Sequence, residues 1–137
     1  MAYWLFKSEP DVFGWDDLVA KGDLGEEWDG VRNYQARNNM RAMKKGDLGL
    51  FYHSNQGKEA VGICEVAAEA HPDSTTDDPR WECVDVRAVK PLPRPVSLEQ
   101  AKVEPRLKDM ALVNNTRLSV QPVTDAEWAV VMELAGL

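Results

Sequence analysis

The chain has 137 residues, 44% hydrophobic and 28% charged, which fits one soluble globular domain (residues 1–137) with a real core. A net charge of -7 argues against general affinity for phosphate backbones. No apolar run approaches the roughly 18 residues of a membrane span, so no membrane partner is expected. Residues 1–10 have no basic n-region, so a cytoplasmic or nuclear protein is expected, nucleoid-associated if bacterial. Cys64 and Cys83 sit in apolar segments without CxxC spacing and read as buried, reduced thiols.

Residues 3–6 form a continuous aromatic and apolar run, a buried strand that stops near Pro10. Lys7, Ser8 and Glu9 are left at the strand mouth. A short helix follows over 15–20, with Asp16 and Asp17 in its first turn and Gly22 near its end. Residues 23–29 read as an acidic loop. A helix is expected from about Asn33 to Met43, with Tyr34, Met40 and Met43 as its apolar face. Residues 31–45 carry five basic side chains and no acidic one, either a local contact strip or a solvated helix face. Lys-Gly-Asp-Leu-Gly occurs at 21–25 and again at 45–49 and reads as two similar turns.

Residues 48–52 and 60–67 suggest a hairpin, with a polar cluster, His53 to Gly57, at its turn end. A loop spans 71–79, and a partly exposed strand covers 81–89. Pro91, Pro93 and Pro95 are expected to end it and form a stiff connector. Capping boxes at 97–100 and 124–127 open two helices, the last burying Trp128, Val131, Met132 and Ala135. A short strand at 117–123 lies between them. Such short strands without regular βαβ alternation indicate an α+β fold, a small mixed barrel or curled sheet with helices outside.

The sequence has no P-loop, no GxGxxG, no GxSxG, no zinc-ligand spacing and no deaminase signature. The histidines are His53 and His71. A triad from His53 and Ser54 would need side chains that adjacent positions do not ensure, so binding is favoured over catalysis, with no metal or cofactor. The densest chemistry is Trp28-Asp29-Gly30-Val31-Arg32-Asn33-Tyr34-Gln35-Ala36-Arg37-Asn38. It reads as a ligand-contacting loop running into a helix.

That stretch, with Trp4-Leu5-Phe6-Lys7-Ser8-Glu9-Pro10, Phe51-Tyr52-His53-Ser54 and Leu118-Ser119-Val120-Gln121-Pro122, resembles the EVE domain family. This family belongs to the PUA-like superfamily and is related to YTH domains. The resemblance covers nearly the whole chain, in order. It implies a PUA-like open, mostly antiparallel β-barrel of about five to six strands with short surrounding helices. It further implies a non-catalytic reader of nucleic acid carrying a modified base; a monomer is expected. 5-Methylcytosine or 5-hydroxymethylcytosine, in DNA or RNA, would be flipped into a pocket at the strand mouths. A small-metabolite or modified-nucleoside binding protein is the alternative.

On this reading Trp28 stacks on the base or anchors its loop in the core. Gly30 and Val31 shape the pocket, and Asn33 reads the base edge or caps the helix. Ser8 and Ser54 contact exocyclic groups or cap strand ends. Tyr34 and Tyr52 line the pocket unless one joins the core, and Gln121 sits at the rim. Lys7, Arg32 and Arg37 hold flanking phosphates, unless Arg37 pairs with an acidic neighbour. Glu9 accepts from the base or, preferably, pairs with an arginine. Trp4 and Trp128 belong to the core. Compared with eukaryotic members, the sequence lacks a long basic N-terminal extension and has shorter loops around 73–78 and 105–115, which implies fewer phosphate contacts.

Overall fold

The 4–6 run shows no polar alternation because both of its faces are covered. In the computed structural model, which describes residues 1–137, β1 (Tyr3–Ser8) lies inside a six-stranded sheet. The short strand β2 (Glu26–Glu27) lies at one edge. β3 (Leu48–His53) runs parallel to β1. β4 (Glu59–Pro72) and β5 (Glu82–Ser97) form a long antiparallel ribbon against β3. β6 (Val120–Val123) pairs antiparallel with the other side of β1. The order is β2-β5-β4-β3-β1-β6, antiparallel except between β1 and β3. Repeated register shifts along β4 and β5 bend the ribbon, so the sheet curls without closing.

Two expectations need correction. Pro91, Pro93 and Pro95 do not end the strand, since β5 runs through them to Ser97. The register breaks there, with Ala60 opposite Val96 and Gly62 opposite Pro91, so Pro93 and Pro95 lie in a bulge where the ladder requires no N–H. Leu92 and Val96 between them remain buried. The 23–29 segment is not a plain loop. A 3-10 turn, Gly22–Leu24, leads into β2.

The helices start where local chemistry allows. α1 (Trp15–Ala20) begins at Gly14, whose N–H donates to Asp17 Oδ2 at 2.7 Å. Asn33 caps α2 (Tyr34–Ala42) by accepting from the Ala36 N–H at 2.9 Å. α3 (Leu98–Val103) and α5 (Asp125–Ala135) both carry the expected reciprocal capping boxes, and α4 (Ala111–Asn114) is a single turn. No helix is long and apolar enough to cross a membrane.

Two hydrophobic clusters cover the two faces of the sheet. Leu5, Leu50, Ile63 and Leu92 pack with Trp128 beneath α3 to α5. Phe6, Phe51, Val84 and Val86 pack with Trp28 and Met40 beneath α1 and α2. Trp128 stacks on Tyr3 with centroids 4.2 Å apart, and the buried Trp4 indole donates to Asp47 Oδ2 at 3.0 Å.

α1 closes on β4 because Gly62 has no side chain. A Cβ there would lie 2.4 Å from the Trp15 ring, which itself packs edge-on to Phe51. Gly62→Ala should therefore displace α1 and destabilise the protein by about 1–3 kcal/mol, read from urea unfolding with tryptophan fluorescence.

Candidate functional site

The mouths of β1 and β6 and the 26–32 segment enclose a cavity of about 640 Å³. This volume suits a small organic ligand. Trp28 forms an apolar wall. Its N–H donates to the Val84 carbonyl at 2.8 Å, extending the β2 pairing by one residue. Its ring meets Phe6, Phe13 and Phe51 edge-on at 5.3, 6.4 and 5.8 Å. Trp28 is both 8% exposed, anchoring its loop in the core, and part of the cavity lining.

Gly30 then turns the chain with φ 77, a left-handed conformation natural to glycine. Its N–H donates to Asp73 Oδ2 at 2.9 Å, and Arg32 Nη1 donates to the same oxygen at 3.1 Å. The Thr75 N–H donates to Asp73 Oδ1 at 2.8 Å. Burial pushes the Asp73 carboxyl up, but hydrogen bonds from Thr75, Gly30 and Arg32 outweigh it and hold the pKa at about 2. Arg32 also donates to Thr75 Oγ1 at 3.1 Å. Its charge is therefore committed to an internal carboxylate, not left free for the expected phosphate.

The cavity is acidic. Glu9, Glu26, Glu27 and Asp29 line it against only Lys7 and Arg32. Burial raises the Asp29 pKa, with Asp73, Glu27 and Glu26 adding repulsion. Burial lowers the pKa of Lys7, whose Nζ donates to the Thr116 carbonyl at 2.7 Å. The Ser8 hydroxyl caps its strand end by donating to the Phe13 carbonyl. Glu9 does not pair with an arginine; it accepts from Asn55 Nδ2 at 2.7 Å. The acidic lining favours a ligand edge rich in donors and disfavours a phosphate.

Of the residues marked in the sequence, Lys7, Ser8, Trp28, Gly30, Val31 and Arg32 converge on the cavity. Asn33 lies outside it as the α2 cap. Tyr34 and Arg37 project from α2 outside the cavity lining, where Tyr34 stacks on Trp81 at 5.0 Å. Tyr52 is 3% exposed and joins the cluster beneath α3 to α5. Ser54 donates its N–H to the Ser8 carbonyl at 2.9 Å and does not line the cavity. Gln121 is fully buried, not at the rim. Its Nε2 donates to the Asn115 and Leu118 carbonyls and ties down the turn before β6. Sequence reasoning passed over Val12, Phe13, Glu26 and Glu27 as ligand contacts. Asp29 and Ser119 were marked only as parts of motifs. Asp73, the anchor, gave no local signal.

No catalytic arrangement uses His53. Its Nε2 accepts from the Trp15 N–H at 3.1 Å, and burial lowers its pKa, so the neutral ring serves as an acceptor at the start of α1. Glu27, His71 and Cys83 bring metal-ligand atoms within 4.8 Å of one another. Each is already paired: Cys83 with Glu27, His71 with Asp85, and Glu27 with Ser74. Burial also pushes the Cys83 thiol up, away from the thiolate a metal needs.

Residues 2–134 match the EVE domain family. The chain is 39% identical to mouse thymocyte nuclear protein 1, over 96% of this chain and 73% of that one. A solved protein from Agrobacterium tumefaciens is 59% identical, with a TM-score of 0.99, covering 100% of this chain and 94% of that one. Human THYN1 protein, solved in complex with 5-methylcytosine containing DNA, is 36% identical with a TM-score of 0.90, covering 100% and 99%. A Zygosaccharomyces rouxii YTH domain shares the fold at 18% identity and a TM-score of 0.58, over 98% and 86%. The curled, open sheet is thus the PUA-like fold of EVE and YTH domains.

The Asp73 carboxyl titrates lower in the folded chain than the roughly 3.9 of an unfolded one. Its contribution is complete above that value and is lost as pH falls towards about 2. Between pH 5 and pH 2 the wild type should lose on the order of 2 kcal/mol more stability than Asp73→Asn, which lacks this titration. Urea unfolding of both proteins across that range measures the difference.

Proposed function

Because this chain belongs to the EVE domain family, we propose that it is a reader of modified nucleobases. The base is of the 5-methylcytosine or 5-hydroxymethylcytosine type, in DNA or RNA, and is flipped into the cavity. The observation that carries this reading is the combination of an aromatic wall with an acidic lining at the strand mouths. The DNA complex of human THYN1 protein, alike over the full length of this chain, supports it.

The geometry gives each group a task. Trp28, held by three aromatic neighbours, offers a rigid surface for the base, and such stacking is worth about 1–3 kcal/mol. Asp29 supplies an acceptor for an exocyclic amino group such as that of cytosine. Open space around the Gly30 Cα lets a ligand approach the backbone. Val12 and Val31 are the apolar surface available to a 5-methyl group. Burying that methyl contributes about 0.8 kcal/mol by area and 1–3 kcal/mol in a fitted pocket. The module binds without catalysis.

The expected discrimination follows from the methyl term. A strand with one 5-methylcytosine should bind roughly tenfold tighter than its unmodified twin. Val31→Trp, which fills the cavity, should remove that preference. Equal affinity of the wild type across a panel of modified and unmodified strands would overturn the reading. The acidic lining also favours a second reading, capture of a free modified nucleoside. That reading prevails if the nucleoside binds as tightly as the strand.

A further inference from the structure

We infer that Tyr34, Trp81 and Arg37 form a second nucleic-acid contact, a stacking platform for the nucleotide beside the one whose base enters the cavity. This rests on the reader function proposed above. Tyr34 is the only exposed aromatic side chain, at 51%. Its ring stacks on Trp81 with centroids 5.0 Å apart and planes 22° apart. The guanidinium of Arg37 lies 4.8 Å from the Tyr34 centroid and 5.9 Å from that of Trp81. Arg32 lies 5.3 Å from the Trp81 ring. Arg80 Nη1 donates to the Tyr34 hydroxyl at 3.3 Å. The result is a fixed aromatic surface bordered by three guanidiniums on a protein of net charge -7.

Charge pairing separates the three cations. Arg32 pairs with Asp73, and Arg80 pairs with Asp78. Arg37 has no carboxylate partner. It donates to the Arg80 carbonyl at 2.9 Å and to Asn38 Oδ1 at 2.8 Å, which fix its position and leave its charge uncompensated. A ring plus a free cation matches a base plus its phosphate, and any base has a π face to stack. The platform is continuous with the cavity, because Arg32 both lines the cavity and packs on Trp81. It also resolves an electrostatic problem. An acidic cavity repels the phosphates that flank an inserted base, so these need a cationic seat outside it.

The test compares the free nucleoside, which can occupy only the cavity, with a single strand of about five nucleotides carrying a central 5-methylcytosine. Tyr34→Ala and Arg37→Gln should each weaken the strand roughly tenfold and leave nucleoside affinity unchanged. Arg37→Gln should also lower the salt slope of log affinity by about 0.7, the value for one phosphate on a single strand. Tyr34→Phe should retain strand affinity, since the ring persists. Both side chains lie outside the core, so thermal unfolding should match the wild type. Unchanged strand affinity in Tyr34→Ala and Arg37→Gln overturns the platform. If these variants weaken modified and unmodified strands alike while the wild type shows no preference between them, the platform stands and the modified-base reading fails.

Discussion

One buried carboxylate, Asp73, decides where the cavity wall stands. It reaches across 43 residues of sequence to take the Gly30 N–H, and the same oxygen takes Arg32. Its neighbour Ser74 donates both its N–H and its hydroxyl to Glu27 at 2.7 Å. The turn between β4 and β5 therefore grips the wall on both sides of Trp28. A glycine with positive φ would otherwise be the softest point of that wall. The length of the β4–β5 ribbon follows from this arrangement. β4 runs on to Pro72 and so delivers Asp73 to the 30–32 segment of the wall.

The charge distribution makes sense once inside and outside are separated. A net charge of -7 suggests a poor partner for nucleic acid, and the cavity itself is acidic. Uncompensated positive charge stands next to it, on α2. A base edge can donate to carboxylates within a pocket while the backbone meets guanidiniums outside. Weak general attraction combined with a specific pocket suits recognition of a chemical mark more than coating of long strands.

Part of the site was legible. The density of aromatic, basic and amide side chains in 28–38 marked a segment whose front, as far as Arg32, lines the cavity, and Lys7 and Ser8 stood out as the end of a buried strand. The finer assignments depended on direction. Tyr34 follows Trp28 by only six positions, yet the cap at Asn33 starts a helix that turns it out of the cavity and onto Trp81. Gln121 was placed at the rim as part of the Leu118–Pro122 motif. Its burial reflects two loop carbonyls that needed donors, and nothing local announces that need. The prolines of β5 misled for a related reason. Whether a missing N–H matters depends on whether the ladder is in register at that point.

The repeated Lys-Gly-Asp-Leu-Gly separates the two kinds of information. By itself the sequence determined features whose partners lie within a few residues: the capping boxes of α3 and α5, the Asn33 cap, and the left-handed glycines at 22 and 46 that open both copies. Tertiary structure decided everything else about the two copies. Asp23 stays exposed in a 3-10 turn. Asp47 is 5% exposed and accepts from the Trp4 indole, the Lys44 N–H and the Ala2 N–H. Leu24 is 89% exposed, whereas Leu48 enters β3. The same five residues diverge because burial and hydrogen bonding are properties of what packs against a segment. For Asp47, as for Asp73, the decisive partners lie some forty residues away.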